Sequence, residues 1–279
     1  IEECLGLLGQ YGRKARVAAG GTDLIPRMKW GELRPEVVIG MSQIPDLDEI
    51  ELSMTAGLKI GALTTIADLE RSGIINEYYP ILARAAAVLG SVEIRNRGTV
   101  GGNLCNAAPS ADMAPSLLVL DAMAVIASES GERKVPLKDF FVGPGKTVLS
   151  EAEILVRLEA PPMRPRTGGE YIKLGIRKAM DIAVVGVAAL ITTDATKGVC
   201  HDAKIALGAV ATVPMRAREA EALLKGKTLS REIIDQAAER ASREASPVTD
   251  IRASEGYRRE MVRVLTGRAI RQAIDNIEP

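Results

Sequence analysis

Two glycine-bearing segments carry the residue types best suited to hold a phosphorylated ligand. In the first, Ala19-Gly20-Gly21-Thr22-Asp23-Leu24, a strand delivers two glycines. Their missing Cβ atoms let a ligand approach the backbone, and successive N–H groups can converge on an anion. In the second, Arg97-Gly98-Thr99-Val100-Gly101-Gly102-Asn103-Leu104-Cys105-Asn106, glycines recur beside hydroxyl and amide side chains that offer hydrogen bonds without net charge. The first has neither the lysine of a P-loop nor the G-x-G-x-x-G spacing of a dinucleotide-binding turn. Taken singly, each also reads as a plain turn, since Gly and Asn favour left-handed backbone. The pair, with no catalytic triad or metal cluster nearby, favours a cradle for a diphosphate cofactor.

Two charged residues extend the candidate site. Asp112 stands at the start of a predicted helix, where a carboxylate either caps amides or accepts hydrogen bonds from a ribose or adenine. Lys173 lies on a predicted strand, opposite its apolar neighbours Ile172 and Leu174. There it is either solvated or, if it faces a cleft, placed to stabilise negative charge on a bound ligand. Cys4, Cys105 and Cys200 show no metal-ligand or redox spacing, so no cluster or zinc site is expected. The single histidine, His201, falls on a strand and reads as ordinary surface or packing.

The elements that position these residues alternate between helix and strand. Residues 1–12 read as a short amphipathic helix, and 15–19, 37–39 and 58–62 as strands, with Thr65 an N-cap for Asp68. Residues 78–90 and 111–122 read as helices; 124–128, 132–137 and 154–159 read as strands around a Ser130-Gly131 turn. Residues 161–169 hold three prolines and two glycines and read as a linker. Beyond them come strands over 170–177, 182–192 and 200–210, then helices over 215–225, 231–244 and 255–274. Strands followed by helices indicate an α+β fold.

Composition narrows the function classes. The chain has 279 residues, 47% of them hydrophobic, and its 36 basic side chains balance 36 acidic ones. It can bury a core without disulfides, and it has no long-range field to attract nucleic acid or anionic membrane. No run of 18 apolar residues predicts a membrane span and no secretion signal is visible, so a cytoplasmic location is expected. The sequence opens at Ile1-Glu2-Glu3 without an initiator methionine, which leaves room for a preceding segment.

Together the motifs resemble a known family: the FAD-binding medium subunits of molybdenum hydroxylases such as aerobic carbon monoxide dehydrogenase, and the flavin domain of xanthine dehydrogenase. The resemblance is carried by residues 19–24, by Ile94 to Asn103, by Ala108-Pro109-Ser110-Ala111-Asp112, by Phe140 to Thr147 and by Lys173 to Val185. It spans nearly the whole chain. It implies a vanillyl-alcohol-oxidase-like (PCMH-type) FAD-binding domain over 1–163 in two α/β parts. A C-terminal domain over 170–279, with a three-stranded antiparallel sheet and three helices, is implied to follow.

For the site, the resemblance implies that the FAD diphosphate rests on Ala18, Ala19, Gly20, Gly21, Thr22 and Asp23 and on Thr99, Val100, Gly101, Gly102 and Asn103, with Leu24 also binding the cofactor. Asp112 would contact the nucleotide and Leu155 would pack near it. Lys173 would approach the isoalloxazine. Leu89 and Ile182 fall where relatives place aromatic residues against the ring. The implied protein is an oxidoreductase subunit with no catalytic side chain and no metal of its own. Electrons would arrive from the iron–sulfur small subunit that serves a molybdopterin-binding large subunit, and leave to NAD or a quinone-type acceptor. Two alternatives stay open: a stand-alone FAD-dependent oxidoreductase of the same fold, and a cofactor-free assembly module.

Overall fold

A computed structural model describes residues 1–177 and 179–277. The chain begins with α1 (Glu2–Tyr11), whose Cys4, Leu5 and Leu8 are buried, and which ends at Gly12 with φ +49°. Strand β1 (Ala15–Ala18) then leads into α2 (Leu24–Lys29) and β2 (Val37–Gly40), and β1 and β2 pair in parallel. A five-stranded antiparallel sheet follows in the order β3-β4-β9-β5-β6, built from β3 (Ile50–Ser53), β4 (Gly57–Gly61), β5 (Met123–Ser128), β6 (Gly131–Pro136) and β9 (Ile154–Ala160). Six short helices lie between β4 and β5: α3 (Ile66–Arg71), α4 (Gly73–Tyr78), α5 (Pro80–Ala87), α6 (Val92–Arg95), α7 (Val100–Cys105) and α8 (Met113–Val119). A small hairpin, β7 (Phe141–Gly143) with β8 (Lys146–Thr147), precedes β9.

The remaining strands, β10 (Thr167–Leu174), β11 (Val185–Thr193), β12 (Cys200–Gly208) and β13 (Met215–Arg216), form an antiparallel sheet in chain order. Helices α9 (Arg218–Leu224), α10 (Arg231–Glu244) and α11 (Glu255–Asp275) complete the chain. Three of the strands are long. The fourth, β13, occupies residues whose sequence reads as the start of a helix. No helix among the described residues is long and apolar enough to cross a membrane.

Strand alternation explains how the layers stack, because successive side chains point to opposite faces. On β5, Ala124 and Ile126 join the core shared with the short helices, while Val125 and Ala127 join the core of α1, β1 and β2. On β11, Ala188 and Leu190 face that first core, and Val187, Ala189 and Ile191 face α9–α11. Both central strands are thus buried on two faces. Tyr171, Ala188, Leu190 and Ala206 from the C-terminal sheet share a core with Leu82, Met113 and Leu117 of the short helices, so the two sheets are joined by apolar packing.

Several departures from the sequence reading have local causes. The helix expected over 78–90 breaks at Tyr79, which has φ −137° and ψ 52°, because Pro80 occupies the first turn of α5. Tyr79 is buried and its hydroxyl donates to the Pro161 carbonyl at 2.9 Å. The linker expected over 161–169 ends earlier, as Gly168 and Gly169 lie within β10. A Cβ on Gly168 would meet the Ala273 carbonyl of α11 at 2.0 Å, so this glycine permits a close helix–strand crossing.

Candidate functional site

A cavity of about 480 Å³ opens where the β1 lobe and the short helices meet the start of β9, the middle strand of the five-stranded sheet, within the size range of cofactor sites. Ala19, Gly20, Gly21, Thr22, Asp23 and Leu24 line it, and so do Thr99, Gly101, Gly102 and Asn103 of the second segment, which abuts the first at Gly20 and Gly98. Leu89, Leu155, Met41 and Leu63 add apolar side chains to its lining. Ala18, Val100, Asp112, Lys173 and Ile182 do not reach its walls. Ala18 precedes the turn, Val100 is fully buried, and Ile182 is 48% exposed.

The first loop keeps its donors available. The backbone N–H groups of Gly20, Gly21, Thr22, Asp23 and Leu24 donate to no acceptor among the described residues. Gly21 has φ +74°, a left-handed conformation that glycine adopts without strain. Five neighbouring donors at a cavity wall suit an anion with several oxygens. Two guanidiniums that the sequence reading passed over, Arg16 and Arg27, reach the same wall. Arg16 is anchored to the Arg13 and Ala15 carbonyls at 2.8 and 2.7 Å, and Arg27 pairs with Glu32 at 3.4 Å. The legible signal was their place, three residues before Ala19 and three after Leu24.

The second segment is a helix rather than a loop. Thr99 caps α7 by accepting from the Gly102 N–H at 3.0 Å. The Val100 and Gly101 N–H groups reach back to the Thr64 and Ala62 carbonyls at 3.0 and 2.9 Å. Two glycines in six residues disfavour a helix by about 1 kcal/mol each, and these contacts with the turn after β4 override that preference. A Cβ on Gly101 would lie 2.6 Å from the Ala62 carbonyl, and one on Gly20 would lie 1.8 Å from the Arg97 carbonyl. These two glycines therefore serve chain-to-chain approach. Asn106 ties the segments together, donating from Nδ2 to Asp23 Oδ1 at 3.2 Å.

The far wall carries Glu153, which the sequence reading also missed. The Arg133 guanidinium, followed by the Ser150 N–H and hydroxyl, holds its carboxyl down to about 2. Cys105, at the α7 end, has its thiol pushed up to about 12 by burial, which keeps it protonated and unreactive.

Asp112 and Lys173 meet each other instead of standing apart. Lys173 Nζ donates to Asp112 Oδ2 at 2.8 Å and to the Val88 carbonyl at 3.1 Å, and Tyr171 donates to Asp112 Oδ1 at 2.9 Å. Both charged side chains are over nine-tenths buried. Burial raises the Asp112 carboxyl above its usual range, and Lys173 and Tyr171 oppose that rise. His201 is exposed on β12, and the three cysteines are free. No group of acidic, His or Cys residues among the described residues could hold a metal.

Free amides at a cradle, flanking guanidiniums and apolar ends are the donor set that a dinucleotide with a diphosphate requires, and they fit FAD. The comparisons agree. Residues 1–163 match the FAD-binding domain of molybdopterin dehydrogenases, and residues 170–273 match the carbon monoxide dehydrogenase flavoprotein C-terminal domain. The chain is 34% identical to the glyceraldehyde dehydrogenase medium chain of Sulfolobus acidocaldarius, covering 98% of this chain and 95% of that one. It is 32% identical to the xanthine dehydrogenase FAD-binding subunit of Escherichia coli O157:H7, over 94% and 89% of the two chains. A chain of carbon monoxide dehydrogenase from Hydrogenophaga pseudoflava superposes with a TM-score of 0.95 at 34% identity, covering 99% and 95%. The chain belongs to the FAD-binding subunits of the molybdopterin dehydrogenases. It is an oxidoreductase subunit whose cofactor is FAD.

Proposed function

We propose that the chain relays electrons from the iron–sulfur clusters of a partner subunit, through FAD, to an external acceptor of the NAD or quinone type. The partners would be an iron–sulfur small subunit and a molybdopterin-binding large subunit, which would hold the substrate. The observation that carries the reading is the run of five N–H groups at residues 20–24 with no acceptor among the described residues, a cradle that a cofactor-free module has no use for. Bound FAD supplies the exchange between two-electron and one-electron chemistry, and the chain's own residues hold and tune it.

In this reading the domains divide as 1–163 and 170–279, with the first of PCMH type. The Gly20–Leu24 amides bind the diphosphate, with Ala18 and Ala19 delivering the turn. Arg16 and Arg27 offset its charge. Beside them, the Thr99 hydroxyl and the Asn103 amide NH2, each braced through its oxygen, have donors left for the cofactor on the frame of Val100, Gly101 and Gly102. Leu155 packs near the nucleotide half, while Leu89, and Ile182 beyond it, border the ring. Asp112 acts on the nucleotide side through the wall it supports, and it pairs with Lys173, whose ammonium behind Leu89 favours the reduced, anionic ring to the extent that the carboxylate leaves it uncompensated. Lacking a cysteine set for clusters, the chain accepts electrons from a partner.

The test is retention of the cofactor. Folded chain mixed with FAD and passed through gel filtration is expected to elute with flavin absorbance, and a colourless protein peak would contradict the assignment. Co-purification of the native assembly, assayed for molybdopterin and iron–sulfur signals, tests the relay. An active flavoprotein without either partner would favour a stand-alone oxidoreductase.

A further inference from the structure

We infer that Tyr171 is a positioning residue for the flavin site: by donating to one oxygen of Asp112, it fixes the carboxylate whose other oxygen holds the Lys173 ammonium against the cavity wall. The inference rests on the FAD reading above and deepens it.

The geometry is built from three sides. Tyr171 and Lys173 are two residues apart on β10 and share a face; each takes one oxygen of Asp112, at 2.9 and 2.8 Å. Opposite Lys173 in the register stands Gly186 of β11, where a Cβ would come within 2.8 Å of the Tyr171 hydroxyl. The missing side chain leaves the space that the hydroxyl occupies.

The cluster supports the cavity at two points without lining it. Lys173 holds the Val88 carbonyl at 3.1 Å, and the next residue, Leu89, is part of the wall. Met113, next to Asp112, donates its N–H to Asn103 Oδ1 at 3.4 Å, and Asn103 is part of the wall too. Displacing the carboxylate therefore moves the charge behind the ring site and loosens both contacts.

The hydrogen bond from the tyrosine adds to Lys173 in favouring the ionised form of that buried carboxyl. Burial, then Asp112, pushes the tyrosine hydroxyl well above 10, so it remains a donor throughout the working pH range. Lys173 and Tyr171 are the ionisable groups that act on the Asp112 carboxyl. Arg84, on α5 packed against β10, turns to Glu170 at 3.6 Å, and the bonded contact from the end of α5 is the neutral Val88 carbonyl. Removing the hydroxyl lifts Asp112 further, so it protonates at higher pH and leaves the Lys173 charge uncompensated.

The test uses the assembled holoenzyme. Tyr171→Phe preserves the ring and removes the donor, and Gly186→Ala displaces the hydroxyl without altering β10. Flavin content is read by absorbance, and the flavin midpoint potential is followed against pH by spectroelectrochemistry. Both variants are expected to retain flavin, and their potential should lie closest to wild type at alkaline pH, where the Asp112 carboxylate is ionised with or without the tyrosine. On the acid side their potential should rise above wild type, with the onset moved up by about one pH unit, the worth of one hydrogen bond to a charged group. Potential–pH curves that superimpose on wild type for both variants overturn the positioning role. A wild-type holoenzyme without flavin overturns the FAD reading, and this inference with it.

Discussion

The N–H groups of Gly20 to Leu24 find no acceptor among the described residues, whereas the segment at 98–103 turns its own inward to Ala62, Thr64 and Thr99. Both read in sequence as small residues around a Gly-Gly pair, yet one presents backbone to the cavity and the other braces it. A glycine signals that something approaches closely, and only the fold says whether that is a ligand or another stretch of chain. Gly101 and Gly20 answer to the chain, and Gly21 answers to a left-handed turn.

The largest expected effect breaks the brace. Gly101→Val places a side chain 2.6 Å from the Ala62 carbonyl, and such overpacking costs about 1–3 kcal/mol or more. The FAD-free chain should melt several degrees lower, and an unchanged melting temperature would mean that α7 is not a brace. Gly21→Val comes next. A β-branched residue at φ +74° costs roughly 1–2 kcal/mol locally, and it distorts the donors that hold the diphosphate. Flavin should be lost on gel filtration, with a smaller fall in the FAD-free melting temperature than for Gly101→Val. The reverse ranking would exchange the roles of the two segments.

Asn106→Ala removes the hydrogen bond to Asp23 that ties the segments together. Losing one such bond is worth about 0.5–1.5 kcal/mol, so flavin titration should show several-fold weaker binding, and equal affinity would show that the two walls hold their spacing without it. The smallest effect concerns Glu153. Its carboxyl sits at about 2 when folded, against 4.5 ordinarily, so its contribution is complete above 4.5 and is lost as pH falls toward about 2. Glu153→Gln should lower the melting temperature slightly at neutral pH, and the gap should close on acidification. A gap independent of pH would remove the Arg133 pair as its cause.

Capped and periodic elements were legible in the sequence. Ser230 caps α10 by accepting from Ile233 N–H, and Ile234, Ala237, Ala238 and Ala241 bury one face, so the expected bounds of 231–244 are those observed. Thr65 caps α3 as its spacing to Asp68 indicates. Glycine pairs misled in both directions: 101–102 lie in a helix and 168–169 in a strand, because tertiary contacts with Ala62 and Ala273 decide their conformation. Met215 and Arg216 pair with β12 although their neighbours favour helix. Around the cavity, Ala19–Leu24, Thr99, Gly101–Asn103, Leu89 and Leu155 were named from sequence and come together. Arg16 and Arg27 were legible only by their place beside the first loop, and Glu153 arrives from a segment without a motif. The bond between Asp112 and Lys173 spans 61 residues, and no local pattern encodes it.

The most direct measurement is amide hydrogen exchange over residues 19–24 and 98–103, with and without FAD. The Gly20 to Leu24 amides should exchange freely in the FAD-free chain and become protected when FAD binds, while the Val100 to Gly102 amides should be protected in both states. Unchanged exchange at 20–24 on addition of FAD would contradict the cradle.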